Sequence, residues 1–190
     1  MNLNVDSGIQ YTWAALAIVW LVGLAFTKPV VRSQLSGPRA FHLVLAFLGF
    51  ALLGSHWFEG GWMAARFVPD SEQVKLTGLA LTIAGCLFAV WARLMLGGNW
   101  SGRATVKAGH ELVTKGPYAL TRHPIYTGLM AAVVGTGMNV GEWRCVIGVF
   151  VILLALMVKM SQEEKLMMEA FPAAYPRYRQ RVKALIPGVL

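Results

Sequence analysis

The sequence predicts an all-α integral membrane protein with five transmembrane helices. Three observations carry that prediction. Apolar residues make up 56% of the chain and charged ones 14%, with a mean hydropathy of +0.56, outside the range of a soluble domain. The apolar residues fall into five runs long enough to cross a bilayer, separated by short polar loops. The net charge of +8 is gathered in those loops, which suits anionic lipid headgroups and argues against a nucleic-acid partner. The whole chain, 1–190, reads as one polytopic membrane domain.

The first run, about Ile9 to Thr27, carries no charge. The residues before it, Met1 to Asp6, have no basic stretch, so a cleaved signal peptide is not expected. Lys28, Arg32 and Arg39 follow in a loop broken by Pro29 and Gly37-Pro38. The second run is about Phe41 to Phe58, with His42 and His56 near its ends as interfacial residues. The third, about Val74 to Leu96, has Arg93 near its end, where a long side chain can snorkel to the headgroups. The longest polar stretch, Gly97 to Arg122, precedes the fourth run, about Pro124 to Val140. There Gly128, Ala131, Ala132 and Gly135 share one helix face, which predicts close helix contact. The fifth run is about Trp143 to Met160; only the short turn around Asn139-Val140-Gly141-Glu142 joins it to the fourth, so the two should form a helical hairpin. Cys86 and Cys145 lie in or near apolar runs without His or Cys neighbours and read as packing residues, so no metal site is expected.

Orientation follows from the loops. Of the 17 Lys and Arg residues, only Arg66, Lys75 and Arg144 fall in the second and fourth loops, and none precedes the first span. The others lie in the first loop, the third loop and the tail. The positive-inside rule therefore places the N-terminus outside and the third loop and C-terminus together in the cytoplasm.

Those two regions hold the chemistry. Gly116-Pro117 marks a turn, and Pro124 keeps His123 out of the helix while suiting the first helical position. Arg122 and His123 then stand beside a helix N-terminus whose free N–H groups and dipole favour an anion. The plainer alternative is a basic juxtamembrane loop. In the tail, Ser161-Gln162-Glu163-Glu164 has capping-box spacing. Yet carboxylates so close to the hydrocarbon are costly unless paired, which points to cation binding or function. Beyond them, Tyr178, Val182 and Leu185 share a helical face, which predicts an amphipathic interfacial segment ending at Pro187.

A ligand that needs both an anion site and a carboxylate is S-adenosylmethionine, with its sulfonium, amino acid zwitterion, ribose and adenine. Arg122 and His123 suit its carboxylate, Glu163 or Glu164 its ammonium or ribose hydroxyls, and Tyr118 and Tyr126 its ring or sulfonium. NADPH, another anionic ring-bearing cofactor, satisfies the same argument.

The runs Gly116-Pro117-Tyr118, Arg122-His123-Pro124-Ile125-Tyr126-Thr127-Gly128, Glu163-Glu164, Tyr175 with Tyr178, and Leu185-Ile186-Pro187 resemble the isoprenylcysteine carboxyl methyltransferase family and the wider group of phospholipid methyltransferases. Leu96-Gly97-Gly98-Asn99-Trp100-Ser101 resembles the segment opening that family's catalytic loop, and the likeness covers about 94–187, the expected catalytic core. The resemblance implies an integral membrane enzyme that uses S-adenosylmethionine at the cytoplasmic face. It assigns the cofactor to His110, Glu111, Leu112, Val113, Tyr118, His123, Pro124, Ile125, Tyr126, Glu163 and Glu164, with Thr105 beside the same pocket. Arg122 and Tyr126 stand at the reaction centre, and Asn99, Trp100 and Lys159 on the substrate side. In the eukaryotic enzymes an Arg meets the substrate carboxylate where this chain has Lys159, which keeps the charge but loses the bidentate fork. The implied acceptor is a hydrophobic or lipidated carboxylate, thiol or phenol-like group arriving from membrane lipid. An NADPH-dependent reductase of the sterol reductase type and a non-enzymatic membrane module are the alternatives.

Overall fold

The computed structural model describes residues 5–33, 37–54, 60–100, 105–107 and 111–189. Helices α1 (Val5–Leu24), α2 (Gly37–Gly54), α3 (Glu72–Leu96), α4 (Pro124–Val140) and α5 (Trp143–Ala170) account for the apolar runs. A short helix, α6 (Ala174–Arg181), follows in the tail. Three of the helices, α1, α3 and α5, are long and apolar enough to cross a membrane by length and composition. A short antiparallel ribbon, absent from the sequence reading, pairs β1 (Val30–Ser33) with β2 (Thr105–Lys107).

Local chemistry sets the helix ends. The Ser71 hydroxyl accepts from the Val74 N–H at the start of α3. Pro124 opens α4, and Gly141, at φ 75°, closes it in the left-handed conformation that glycine adopts without strain. The chain then turns directly into α5 as expected. Alternate loops meet at opposite ends of the bundle. The first and third loops join through the ribbon and through the Lys28 N–H donating to the Gly98 carbonyl at 3.0 Å. The second and fourth loops join through Arg66, which donates to the Val140 carbonyl at 2.8 Å.

Packing is led by α3 against α4 and α2 against α5. On α4, a Cβ added at Gly128 would lie 2.5 Å from the Gly85 carbonyl oxygen, and one at Gly135 would lie 2.5 Å from that of Gly78. The backbones therefore touch at two points seven residues apart on each helix, which is the contact the small-residue stripe predicts. Thr82, fully buried between them, donates to the Gly78 carbonyl at 2.8 Å. A Gly128→Leu chain must push α3 away. We expect a loss of about 1–3 kcal/mol or more, read as a lower melting temperature in detergent. An unchanged melt would contradict backbone contact at Gly128.

Three expectations are corrected here. Arg93 does not snorkel: it is 4% exposed and ties α1 to α3 by donating to the Gly23 carbonyl at 2.7 Å and the Gly97 carbonyl at 2.9 Å. Ser161 begins no helix, because α5 runs unbroken for 28 residues, roughly 42 Å. That exceeds a hydrocarbon core of about 30 Å, so the last turns, with Glu163 and Glu164, extend past the apolar run. The tail is not one amphipathic helix. α6 stops at Arg181, and the chain folds back against the start of α4, with the Arg122 N–H bonded to the Lys183 carbonyl at 2.8 Å and the His123 N–H to that of Ala184 at 3.0 Å.

Candidate active site

The site forms where the third loop, the start of α4, the protruding end of α5 and the tail converge. A helical turn at Gly116–Ala119, opened by Gly116 at φ 61°, buries Tyr118, whose carbonyl accepts from the Tyr178 hydroxyl at 2.6 Å. That bond fixes the tail over the loop. Pro124 holds His123 at the N-cap, and one turn of α4 sets the Tyr126 ring parallel to the imidazole at 5.6 Å between centroids.

Glu163 and Glu164 meet this basic pair, so the cations beside the helix N-terminus face the protein's own carboxylates. The Tyr126 hydroxyl donates to Glu163 Oε1 at 2.6 Å, and His123 Nδ1 lies 3.6 Å from Glu163 Oε2. Glu164 Oε1 takes Arg122 Nε at 2.9 Å, Arg122 Nη2 at 2.7 Å and His123 Nε2 at 3.2 Å, while Arg179 approaches its other oxygen at 3.4 Å. Arg122 Nη1 donates to the Val182 carbonyl. Glu164 therefore anchors the tail through Arg122, and Glu163 is the carboxylate turned to the cavity.

Burial by itself would favour a neutral His123 ring. Its bonds to Glu163 and Glu164 outweigh that and hold its pKa above the ordinary value. A raised folded pKa contributes stability that is complete below the unfolded value, near 6.5, and is lost as pH climbs through the folded one. The melting temperature should therefore fall on the alkaline side of about pH 6.5, and His123→Gln should flatten that decline. An equal slope in the variant would place the pH dependence elsewhere. At Tyr118, burial first and then nearby Glu163 push the phenol far up, so it stays neutral.

These groups surround a cavity walled by aromatic, aliphatic and charged side chains. Of the sequence-assigned residues, Asn99, Trp100, Glu111, Leu112, Val113, Tyr118, Arg122, His123, Ile125, Tyr126 and Glu163 line it. Pro124 is buried at the helix start and Glu164 sits behind Arg122; neither lines the space. Lys159 places its ammonium 5.3 Å from the Tyr126 ring centroid and is likewise outside the lining. His110 lies outside the described residues, and of Thr105 only the backbone pairing in β2 is described. The sequence assignment omitted Leu96, Leu166, Met167, Tyr175 and Tyr178, which also line the cavity. Helical spacing would have found Leu166 and Met167, three and four residues after Glu163 on one helix. The Tyr pair was visible as a motif, but its position over the cavity depends on the chain reversal after α5.

The residues fit a ring-bearing cofactor that carries a cation: the Glu163 carboxylate for an ammonium or ribose hydroxyls, and aromatic and aliphatic walls for a ring. Residues 78–169 match the model of the isoprenylcysteine carboxyl methyltransferase family. The chain is similar to the protein-S-isoprenylcysteine O-methyltransferase of Schizosaccharomyces pombe, at 33% identity over 98% of this chain and 72% of that protein. It is also similar to the cobalt-zinc-cadmium resistance protein of Cupriavidus metallidurans, at 28% identity over 77% of this chain and 62% of that protein, so it spans about three fifths of that relative's length. Among solved structures, the eukaryotic intramembrane Ras methyltransferase, an isoprenylcysteine carboxyl methyltransferase, shares the fold. The TM-score is 0.58 at 23% identity, covering 99% of this chain and 68% of that one.

Proposed function

Since the chain belongs to the isoprenylcysteine carboxyl methyltransferase family, we propose that it is an integral membrane methyltransferase that uses S-adenosylmethionine and modifies a hydrophobic, lipid-borne carboxylate, thiol or phenol-like acceptor. The isoprenylcysteine named for the yeast relative is one member of that class. The observation that carries the reading is Glu163, oriented by the Tyr126 hydroxyl at 2.6 Å and turned into a cavity walled by Tyr118 and Trp100. The reductase and scaffold readings are not favoured by the relatives found.

Bound S-adenosylmethionine supplies an electrophilic methyl group on a sulfonium. Glu163 meets the ammonium or ribose hydroxyls, held in place by Tyr126 and His123. Leu112, Val113 and Tyr118 pack on the ring system. Tyr175 and Tyr178, held over the cavity by the tail, exclude water, leaving in-line positioning as the main demand. A carboxylate or thiolate acceptor needs no general base at neutral pH. Residues 94–187 form the catalytic core in this reading, and the five long helices all span the membrane, with the N-terminus outside and the site cytoplasmic.

Titration of the purified protein with S-adenosylmethionine should give saturable binding, and NADPH should not bind. The reverse result would replace this reading with the reductase. Reporter fusions after Thr105 and after Leu190 should both report cytoplasm; an external signal from either would separate the third loop from the tail and break the proposed orientation.

A further inference from the structure

His123 is held between two carboxylates that do different work. It is 8% exposed at the N-cap of α4, with Nδ1 3.6 Å from Glu163 Oε2 and Nε2 3.2 Å from Glu164 Oε1. Glu164 is matched by arginines: Arg122 reaches its Oε1 at 2.7 and 2.9 Å, and Arg179 stands 3.4 Å from its Oε2. Glu163 lines the cavity and accepts from the Tyr126 hydroxyl, a neutral donor. The His123 ring therefore supplies a counter-charge to the carboxylate that a ligand's cation would approach.

The other groups around the ring keep their charge states near neutral pH. Arginine and lysine side chains stay protonated there. Arg122 comes from the loop before α4, Arg179 from α6, and Lys159 from α5, one turn before Glu163. Burial pushes the phenols of Tyr118, Tyr175 and Tyr178 upward, so they stay neutral. Burial opposes the charge on Glu164, yet its bonds to His123 and Arg122 hold its pKa at about 2. Glu163 is buried too and is held low, first by His123. Of these described groups, the imidazole is the one that exchanges its proton near neutral pH.

A ligand cation placed against Glu163 sets a second positive charge beside the ring, where water screens little. Repulsion then favours the neutral imidazole. The tautomer that keeps Nε2–H on Glu164 leaves Nδ1 as an acceptor beside Glu163, which suits an ammonium.

We propose that capture of the cofactor's ammonium at Glu163 expels the His123 proton to solvent, so that cofactor binding is proton-linked and tightens as pH rises from about 6 toward 7. The inference rests on the S-adenosylmethionine reading. It makes His123 more than a clamp on Glu163: the charge that steadies the free protein is given up to the ligand.

Calorimetric titration of the full chain in detergent with S-adenosylmethionine tests this. Runs at about pH 6.5 in phosphate and in Bis-Tris count the protons released, because the two buffers differ in ionisation heat. The ligand's own α-amino group stays protonated there, since such groups titrate at about 7.7–8.0. The native protein should release about half to one proton per ligand, and its affinity should rise roughly three- to tenfold between about pH 6 and pH 7. His123→Gln should release less than about 0.2 proton, with affinity flat within about twofold over that range. A ring that only positions Glu163 would weaken binding when replaced, but the native protein would then release no proton. No release by the native protein, or full release by His123→Gln, overturns the proposal. If His123→Gln does not fold, Glu163→Gln decides it. Without the carboxylate charge no cation is drawn to the ring, so release should fall below about a third of the native value, and undiminished release overturns the proposal. Saturable binding without proton release sinks this inference and spares the methyltransferase reading; absence of binding overturns both.

Discussion

Arg122→Gln should destabilise the protein more than any other single change at the site. The Arg122 guanidinium holds Glu164 at 2.7 and 2.9 Å and also ties down the Val182 carbonyl, in side chains only 9% and 14% exposed. Removing one partner of a buried pair leaves the other charged and poorly solvated, which costs about 3–5 kcal/mol. For a chain of this size that lowers the melting temperature by on the order of 10 °C. The tail should loosen with it, because the segment after α6 loses the Arg122 anchor and keeps the backbone bonds at Lys183 and Ala184 and the Thr127 hydroxyl's bond to the Leu185 carbonyl. Protease cleavage after Arg179 or Arg181 should therefore accelerate. Arg122→Lys keeps the charge without the fork and should recover only part of the loss. A variant with native melting and native proteolysis would show that the cluster is no anchor.

Glu163→Gln should instead leave the fold in place and weaken the cofactor. The substitution keeps the volume and can still accept from the Tyr126 hydroxyl, but it removes the charge facing the cavity. Losing one charge-assisted hydrogen bond costs about 1.5–3 kcal/mol, so S-adenosylmethionine affinity should drop roughly 10- to 100-fold. Tyr126→Phe provides the control on orientation. It frees Glu163 from its 2.6 Å donor while keeping the charge, so affinity should fall by less than in Glu163→Gln. Calorimetric titration of both variants, with circular dichroism for the fold, reads the comparison. Native affinity in folded Glu163→Gln would remove Glu163 from the cofactor site.

Apolar run length placed the starts of α1 to α5 within a few residues, because long apolar runs have to be helical in a membrane protein, but α5 continues to Ala170, well past the run that ends at Met160. The small residues of α4 announced its contact with α3, since only a missing side chain lets two backbones touch. Most of the cavity lining was legible too, because Tyr118, His123, Tyr126 and Glu163 stand in short motifs beside turn and helix-start signals.

What the sequence could not settle is where each charge is spent. Arg122 and His123 beside a helix N-terminus read as an anion site, and folding fills that site with Glu163 and Glu164 from another helix. Arg93 read as snorkelling, and folding buries it between the ends of α1 and α3. Ser161 read as a cap, and α5 passes through it. The tail read as an interfacial helix, and it closes over the site. Periodicity and composition are properties of neighbouring residues, so the chain alone determined its helices, its membrane class and its motif residues. The pairing of a buried charge depends on which distant element arrives beside it, and only tertiary structure decides that.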